Sequence, residues 1–182
     1  MSQGYVTPVA PSALSDVKLG EGNFYANYGL GNQVCLGPTR GGGGWKESTK
    51  IRDIDWDGKY GPVKGYARKT DIGYEMEVNA LQINSANYIK FFAGHDVTDM
   101  TTYKKIRARI NIEASDYLTN LAFVGVDLAG NAVVCIIENP LGVGEADINF
   151  KEKDEWIIKA KFVAYYDPTT ITTPPGELRF IA

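Results

Sequence analysis

Between Asp71 and Leu81 the chain alternates without a break. Ile72, Tyr74, Met76, Val78 and Ala80 fall on one face, and Asp71, Gly73, Glu75, Glu77 and Asn79 on the other. Period two held over eleven residues is the pattern of a half-buried β-strand. At roughly 3.3 Å per residue such a strand spans about 36 Å, well past the usual five or six residues. Upstream, residues 45–57 end with Asp53, Asp55 and Asp57 on one face and Arg52, Ile54 and Trp56 on the other. The two segments flank Asp57-Gly58-Lys59-Tyr60-Gly61-Pro62-Val63-Lys64-Gly65, a Gly/Pro-rich connection, so they read as a long β-hairpin or a pair of neighbouring strands. Long strands with a carboxylate-rich face build a wall rather than a pocket.

The rest of the chain supplies more short strands. Phe24–Tyr28 and Val34–Leu36 are candidates, and Gly37-Pro38-Thr39-Arg40-Gly41-Gly42-Gly43-Gly44 reads as a loop. Residues 85–94 form the one good helical window, with Ser85 as N-cap, Gly94 just past the end, and Ile89, Phe92 and Ala93 on one face. Residues 103–113 alternate again, with Ile106, Ala108, Ile110 and Ile112 inward. Residues 118–128 and 132–139 are apolar strands joined at Ala129-Gly130-Asn131, followed by a loop over 139–144, a short strand over 146–150 and a last long one over 156–166. About eight strands and one helix predict a mainly β protein: a β-sandwich or barrel with one flanking α-helix. The predicted boundaries are an extended N-terminal arm at 1–22, the β domain at 23–166 and a Pro-rich C-terminal arm at 167–182.

The chain has 182 residues, 44% of them hydrophobic, enough for one domain with a sizeable core. A net charge of −3 argues against general nucleic-acid binding. No apolar run reaches about 18 residues and no signal peptide opens the chain, so the expectation is a soluble protein made in the cytoplasm, with no membrane partner. Cys35 and Cys135, each in apolar sequence, are expected to be buried free thiols.

Chemistry is sparse. His95 is the sole histidine and falls at the helix end, where capping or solvent exposure suits it better than catalysis. The four-glycine run beside Arg40 lacks the Lys-Ser/Thr of a phosphate loop and opens no helix. Asp53-x-Asp55-x-Asp57-Gly58 begins like a calcium loop, yet Lys64 stands where the closing Glu belongs. A glycosidase needs two carboxylates across a cleft, not a ladder along strands. Trp45, Trp56 and the tyrosines could stack on sugars, which leaves a carbohydrate-binding β-sandwich as an alternative. No enzyme activity, metal or cofactor is expected.

The block Ile51-Arg52-Asp53-Ile54-Asp55-Trp56-Asp57-Gly58-Lys59-Tyr60-Gly61-Pro62-Val63-Lys64-Gly65 resembles a signature of the tail tube (major tail) proteins of long-tailed bacteriophages, in which an acidic Asp-Gly turn precedes a Gly-Pro-Val-Lys-Gly segment. Phe24–Gly29, Gly37–Gly42 and Tyr165-Tyr166-Asp167-Pro168 look similar to parts of that family as well. The resemblance implies a structural virion protein of the phage tail, assembled in the host cytoplasm as stacked homohexameric rings that form the conduit for double-stranded DNA ejection. It also implies a tape measure protein and tail terminator or distal tail proteins as partners. On that expectation Asp53, Asp55, Asp57, Asp71, Glu75 and Glu77 line the lumen and repel phosphate, and Arg40, Gly42, Tyr60, Pro62 and Lys64 belong to inter-subunit contact loops.

Overall fold

In the computed structural model, which describes residues 18–146 and 155–181, eleven strands run in the order β1 (Lys18–Ala26), β2 (Val34–Cys35), β3 (Thr39–Asp53), β4 (Ala67–Ala80), β5 (His95–Asp99), β6 (Lys104–Ala108), β7 (Asn120–Asp127), β8 (Ala132–Glu138), β9 (Pro140–Val143), β10 (Ile158–Ala164) and β11 (Gly176–Phe180). One helix, α1 (Ser85–Phe91), follows β4, and a short 3-10 turn covers Ala114–Asp116. The mainly β architecture, with a single α-helix among the described residues, is as the sequence pattern implies.

The strands form an antiparallel sheet in the order β11-β8-β7-β1-β2, a second in the order β3-β4-β10-β9, and a separate β5-β6 ribbon. The two larger sheets share one core. Phe24, Ala26, Leu121 and Ile137 of the first are buried with Tyr74, Met76, Val78, Ala80, Ile158, Ala160 and Phe162 of the second. Register explains the pattern: Met76 lies opposite Phe162 on β10 and Trp45 on β3, so one row of large side chains crosses three strands. Each fully buried residue of this size contributes about 1.5–3 kcal/mol through removal of apolar surface from water. Asn84, not Ser85, caps α1, its side chain accepting from the Asn87 N–H at 2.8 Å. Phe91 of α1 meets Phe162 edge-on with ring centroids 6.3 Å apart, which seats the helix against the second sheet.

Several expectations are corrected. Residues 18–22, assigned to an arm, open β1 and pair with β7, with Gly22 opposite Gly125; glycines there hide the alternation. The expected loop over Gly37–Gly44 is strand from Thr39 onward, because the β4 backbone supplies a ladder that glycine-rich sequence does not advertise. The upstream hairpin segment ends at Asp53 rather than Asp57. The alternating stretch at 103–113 is a strand only over β6; Ile110 and Ile112 are exposed, since no second layer covers them. Pro140–Val143, read as loop, is β9, and residues 176–180 of the supposed C-terminal arm are β11, paired with β8. The last long strand is trimmed to Ile158–Ala164. Cys35 is exposed rather than buried, and neither thiol forms a disulfide. The expected strand over 146–150 lies outside the described residues apart from Ala146, as do residues 1–17 of the N-terminal arm.

Candidate assembly surface

The second sheet turns its outer face to solvent, and β4 sets the alternation: Tyr74, Met76, Val78 and Ala80 point inward, Asp71, Glu75 and Glu77 outward. Three of the six expected lining residues therefore do share a face. Opposite them in register lie Lys50, Lys46 and Gly44 on β3, and Lys161 on β10 faces Glu77, with Lys159 one repeat along. Lysines thus alternate with the carboxylates across the strands, so the face is a lattice of cross-strand pairs and not the uniformly acidic wall expected. Asp71 binds Lys50 at 3.0 Å, and Glu75 binds Lys161 at 3.1 Å and Lys46 at 3.6 Å. The hydrogen bond from Lys161 holds the Glu75 carboxyl below its ordinary range, a partial desolvation opposing it. Glu77 makes no ion pair among the described residues.

The other three carboxylates lie elsewhere. Asp53 ends β3, while Asp55 and Asp57 sit in the connection beyond it. There the Lys59 ammonium donates to Asp55 at 3.0 Å and to the Ile54 carbonyl at 3.1 Å, and lies 5.4 Å from the centre of the Trp56 ring. Trp56 and Tyr66 pack with centroids 4.9 Å apart. Gly58 and Gly65, both at positive φ, each take the third place of a tight turn, closed by Lys59 N–H to Trp56 O and Tyr66 N–H to Val63 O. From Lys50 through Asp71 every side chain but Lys59 is exposed. The hairpin formed by β3 and β4 therefore extends beyond the core with both faces in solvent. Its tip carries Ile54, Trp56, Tyr60, Val63 and Tyr66 as exposed apolar groups.

Strand edges complete the surface. Among the described residues β3 pairs with β4 alone, so its fifteen residues, about 50 Å of backbone, form an open sheet edge there. The opposite edge of that sheet is not equivalent: β9 is covered by the Leu118 N–H donating to Pro140 O, the Ala93 N–H donating to Gly142 O and a bridge from Tyr117 to Leu141. Among the described residues, the one long open edge of the second sheet is β3. Sequence reasoning missed this, because an edge is defined by which strand fails to arrive.

Of the expected contact residues, Tyr60, Pro62 and Lys64 are all exposed in the hairpin tip, whereas Arg40 and Gly42 lie in the first part of β3. Arg40 is engaged by Glu155 within the same chain. Gly42 has φ of 72°, a left-handed conformation that few other residues adopt.

Other chemistry is accounted for structurally. His95 Nδ1 lies 3.1 Å from the carbonyl oxygens of Phe92 and Ala93, so the ring caps the end of α1 as expected. Arg109 gathers Asp96, Glu113 and Asp116 at 2.6–3.1 Å and thereby ties the β5-β6 ribbon to the 3-10 turn. No group of three or more His, Cys, Asp or Glu among the described residues has metal-binding geometry. Trp45 packs on Tyr74 inside the sandwich, while Trp56 lies beyond the end of β3, at least roughly 25 Å further along the strand, so the two form no common shelf for a sugar. Among the described residues, no helix is long and apolar enough to cross a membrane. No protein-family model and no curated protein matches the chain.

Proposed function

We propose that the protein is a self-assembling structural subunit of the bacteriophage tail tube type, packing with copies of itself into rings that stack as a conduit. The observation that carries this reading is the β3-β4 hairpin: an open edge of fifteen residues, continued by an arm whose two faces and aromatic tip touch no core. An isolated two-stranded ribbon is marginal in water, and a long open edge invites strand addition. A repeating head-to-tail contact relieves both in a closed ring. The block from Ile51 to Gly65 that resembles tail tube proteins forms the end of β3 and this tip.

In such a ring the outer face of the second sheet is the candidate lumen. Its carboxylates are matched by lysines, so DNA passing along it meets an ion-paired, nearly balanced surface. Such a wall offers phosphate neither strong repulsion nor the counterion-release attraction of a basic groove. Negative-stain electron microscopy of concentrated protein tests the reading. Rings or tubes are expected, and replacing Tyr60 and Val63 together by Asp abolishes them while leaving the circular dichroism spectrum intact. A protein that stays monomeric at all concentrations, salts and temperatures of a screen refutes it.

A further inference from the structure

Past the end of β10 the chain folds back beside the end of β8, and two clefts of about 380 and 300 Å³ open there. Asn139 and Asp167 border both, so the two form one groove. One end is aromatic, walled by Tyr117, Tyr165 and Tyr166. The other is polar, with Glu138 among Thr119, Thr170 and Thr173.

The fold holds these walls in place. Tyr117 and Tyr165 meet at 88° with ring centroids 5.4 Å apart, and the Tyr166 hydroxyl donates to the Ile72 carbonyl at 2.9 Å. The Glu138 N–H donates to Pro175 O at 2.8 Å, which ties the returning segment to β8. Asp167 Oδ1 accepts from the Thr169 hydroxyl at 2.6 Å and the Thr169 N–H at 2.7 Å. Those bonds hold the Asp167 carboxyl below its ordinary range and leave Oδ2 unengaged among the described residues.

Charge in the groove is one-sided. Asp167 and Glu138 line it, and among the described residues no Lys, Arg or His does. Burial and the charge of Glu177 push the Glu138 carboxyl up, while Arg179, the cation opposing that shift, is engaged by Glu177. A half-buried carboxylate without a counter-ion is costly, and a ligand that supplies one removes the cost. The chain's remaining lysines do not supply it: Lys151 and Lys153 belong to the connection that enters β10 at Ile158, about 20 Å along the strand from the groove end. Residues 1–17 contain no Lys or Arg.

We propose that this groove binds a linear aliphatic diamine or polyamine, one ammonium against the tyrosine rings beside Asp167 and a second at Glu138. Aromatic faces attract an ammonium within about 6 Å of the ring centre. Two carboxylates in one groove call for two positive charges on one molecule, and the methylene chain between them lies along the apolar tyrosine wall. A neutral sugar could stack on the same rings but would leave both carboxylates uncompensated. The site is separate from the β3-β4 hairpin and does not depend on self-assembly.

Calorimetric titration of the full-length protein with spermidine at fixed ionic strength tests this, with n-butylamine as the single-ammonium comparison. Saturable spermidine binding is expected, and tighter than that of n-butylamine. Tyr165→Leu and Asp167→Asn are each expected to weaken it by about fivefold, whereas Tyr165→Phe, which keeps the ring, retains it. Glu138→Gln, an isosteric change, is expected to erase the advantage of spermidine over n-butylamine. Glu77→Gln, on the outer face of β4, is the control and leaves binding unchanged. No binding at millimolar spermidine overturns the inference. So does binding that is equal in the parent, Asp167→Asn and Glu138→Gln proteins, which is diffuse attraction to an acidic chain. Circular dichroism checks that each variant is folded; should Tyr165→Leu unfold, the two carboxylate variants decide.

Discussion

Gly43 and Gly44 are neighbours in β3 for which the structure dictates opposite responses to the same substitution. A methyl at Gly43 would sit 2.2 Å from the Glu77 carbonyl oxygen and 2.6 Å from the Phe24 ring. Non-bonded carbons rest about 3.5–4.0 Å apart, so roughly 1 Å must open between β3 and both neighbours. One neighbour is backbone in the middle of a ladder and the other is a core side chain, so neither yields cheaply. Overpacking of this kind costs about 1–3 kcal/mol. For a chain of this length each kcal/mol moves the melting temperature by about 2–4 °C, so a cost near 2 kcal/mol lowers it by about 4–8 °C. A methyl at Gly44 meets open space at ordinary φ. There the lost freedom of the unfolded chain dominates, and Gly44→Ala raises stability by about 0.4–1 kcal/mol. Thermal melts followed by circular dichroism, on protein dilute enough to remain unassembled, measure both. Equal melting temperatures, or Gly43→Ala the more stable, refute the packing of β3 against β4 and β1 described above.

Three more outcomes are expected. Because Glu75 is held below its ordinary pKa chiefly by Lys161, its contribution to stability is complete above the unfolded value near 4.3 and is lost as pH falls through the lower folded value. Lys161→Met therefore lowers stability at pH 7, where that contribution is complete, and its stability converges on that of the parent as pH falls below about 4.3, which flattens the acid limb of the stability–pH curve; an unaltered acid limb contradicts the pairing. Asp127 is 5% exposed and accepts from the Ala129 and Asn131 N–H groups in the β7-β8 turn, so Asp127→Ala costs about 1.5–3 kcal/mol in urea denaturation. Arg109→Lys, which keeps the charge but loses the planar fork, is expected to raise amide exchange across β5 and β6 while leaving β4 and β10 protected; uniform protection contradicts the role given to that cluster.

Where local pattern and tertiary burial agree, the chain could be read directly. The alternation from Ile72 to Ala80 is β4, the apolar runs either side of Ala129-Gly130-Asn131 are β7 and β8, and His95 caps the helix it follows. Each depends on a side-chain period or a turn residue, both of which are properties of neighbours in sequence. Carboxylates on the outer face of β4 were legible for the same reason. Their neutralisation was not, since Lys46, Lys50 and Lys161 reach them only through strand registers set by the ladder.

What tertiary structure alone decided is which backbone groups find partners. Gly43 and Gly44 have no period, yet they lie in a strand because Val78 and Glu77 of β4 stand opposite them in the ladder. Ile110 and Ile112 have a strand's period yet stay exposed, because no layer arrives to cover them. Alternation records which side of a strand is apolar, a property of single residues. Edges and covered faces are relations between segments far apart in the chain, so the open border of β3 comes into being only when the sheets are laid together.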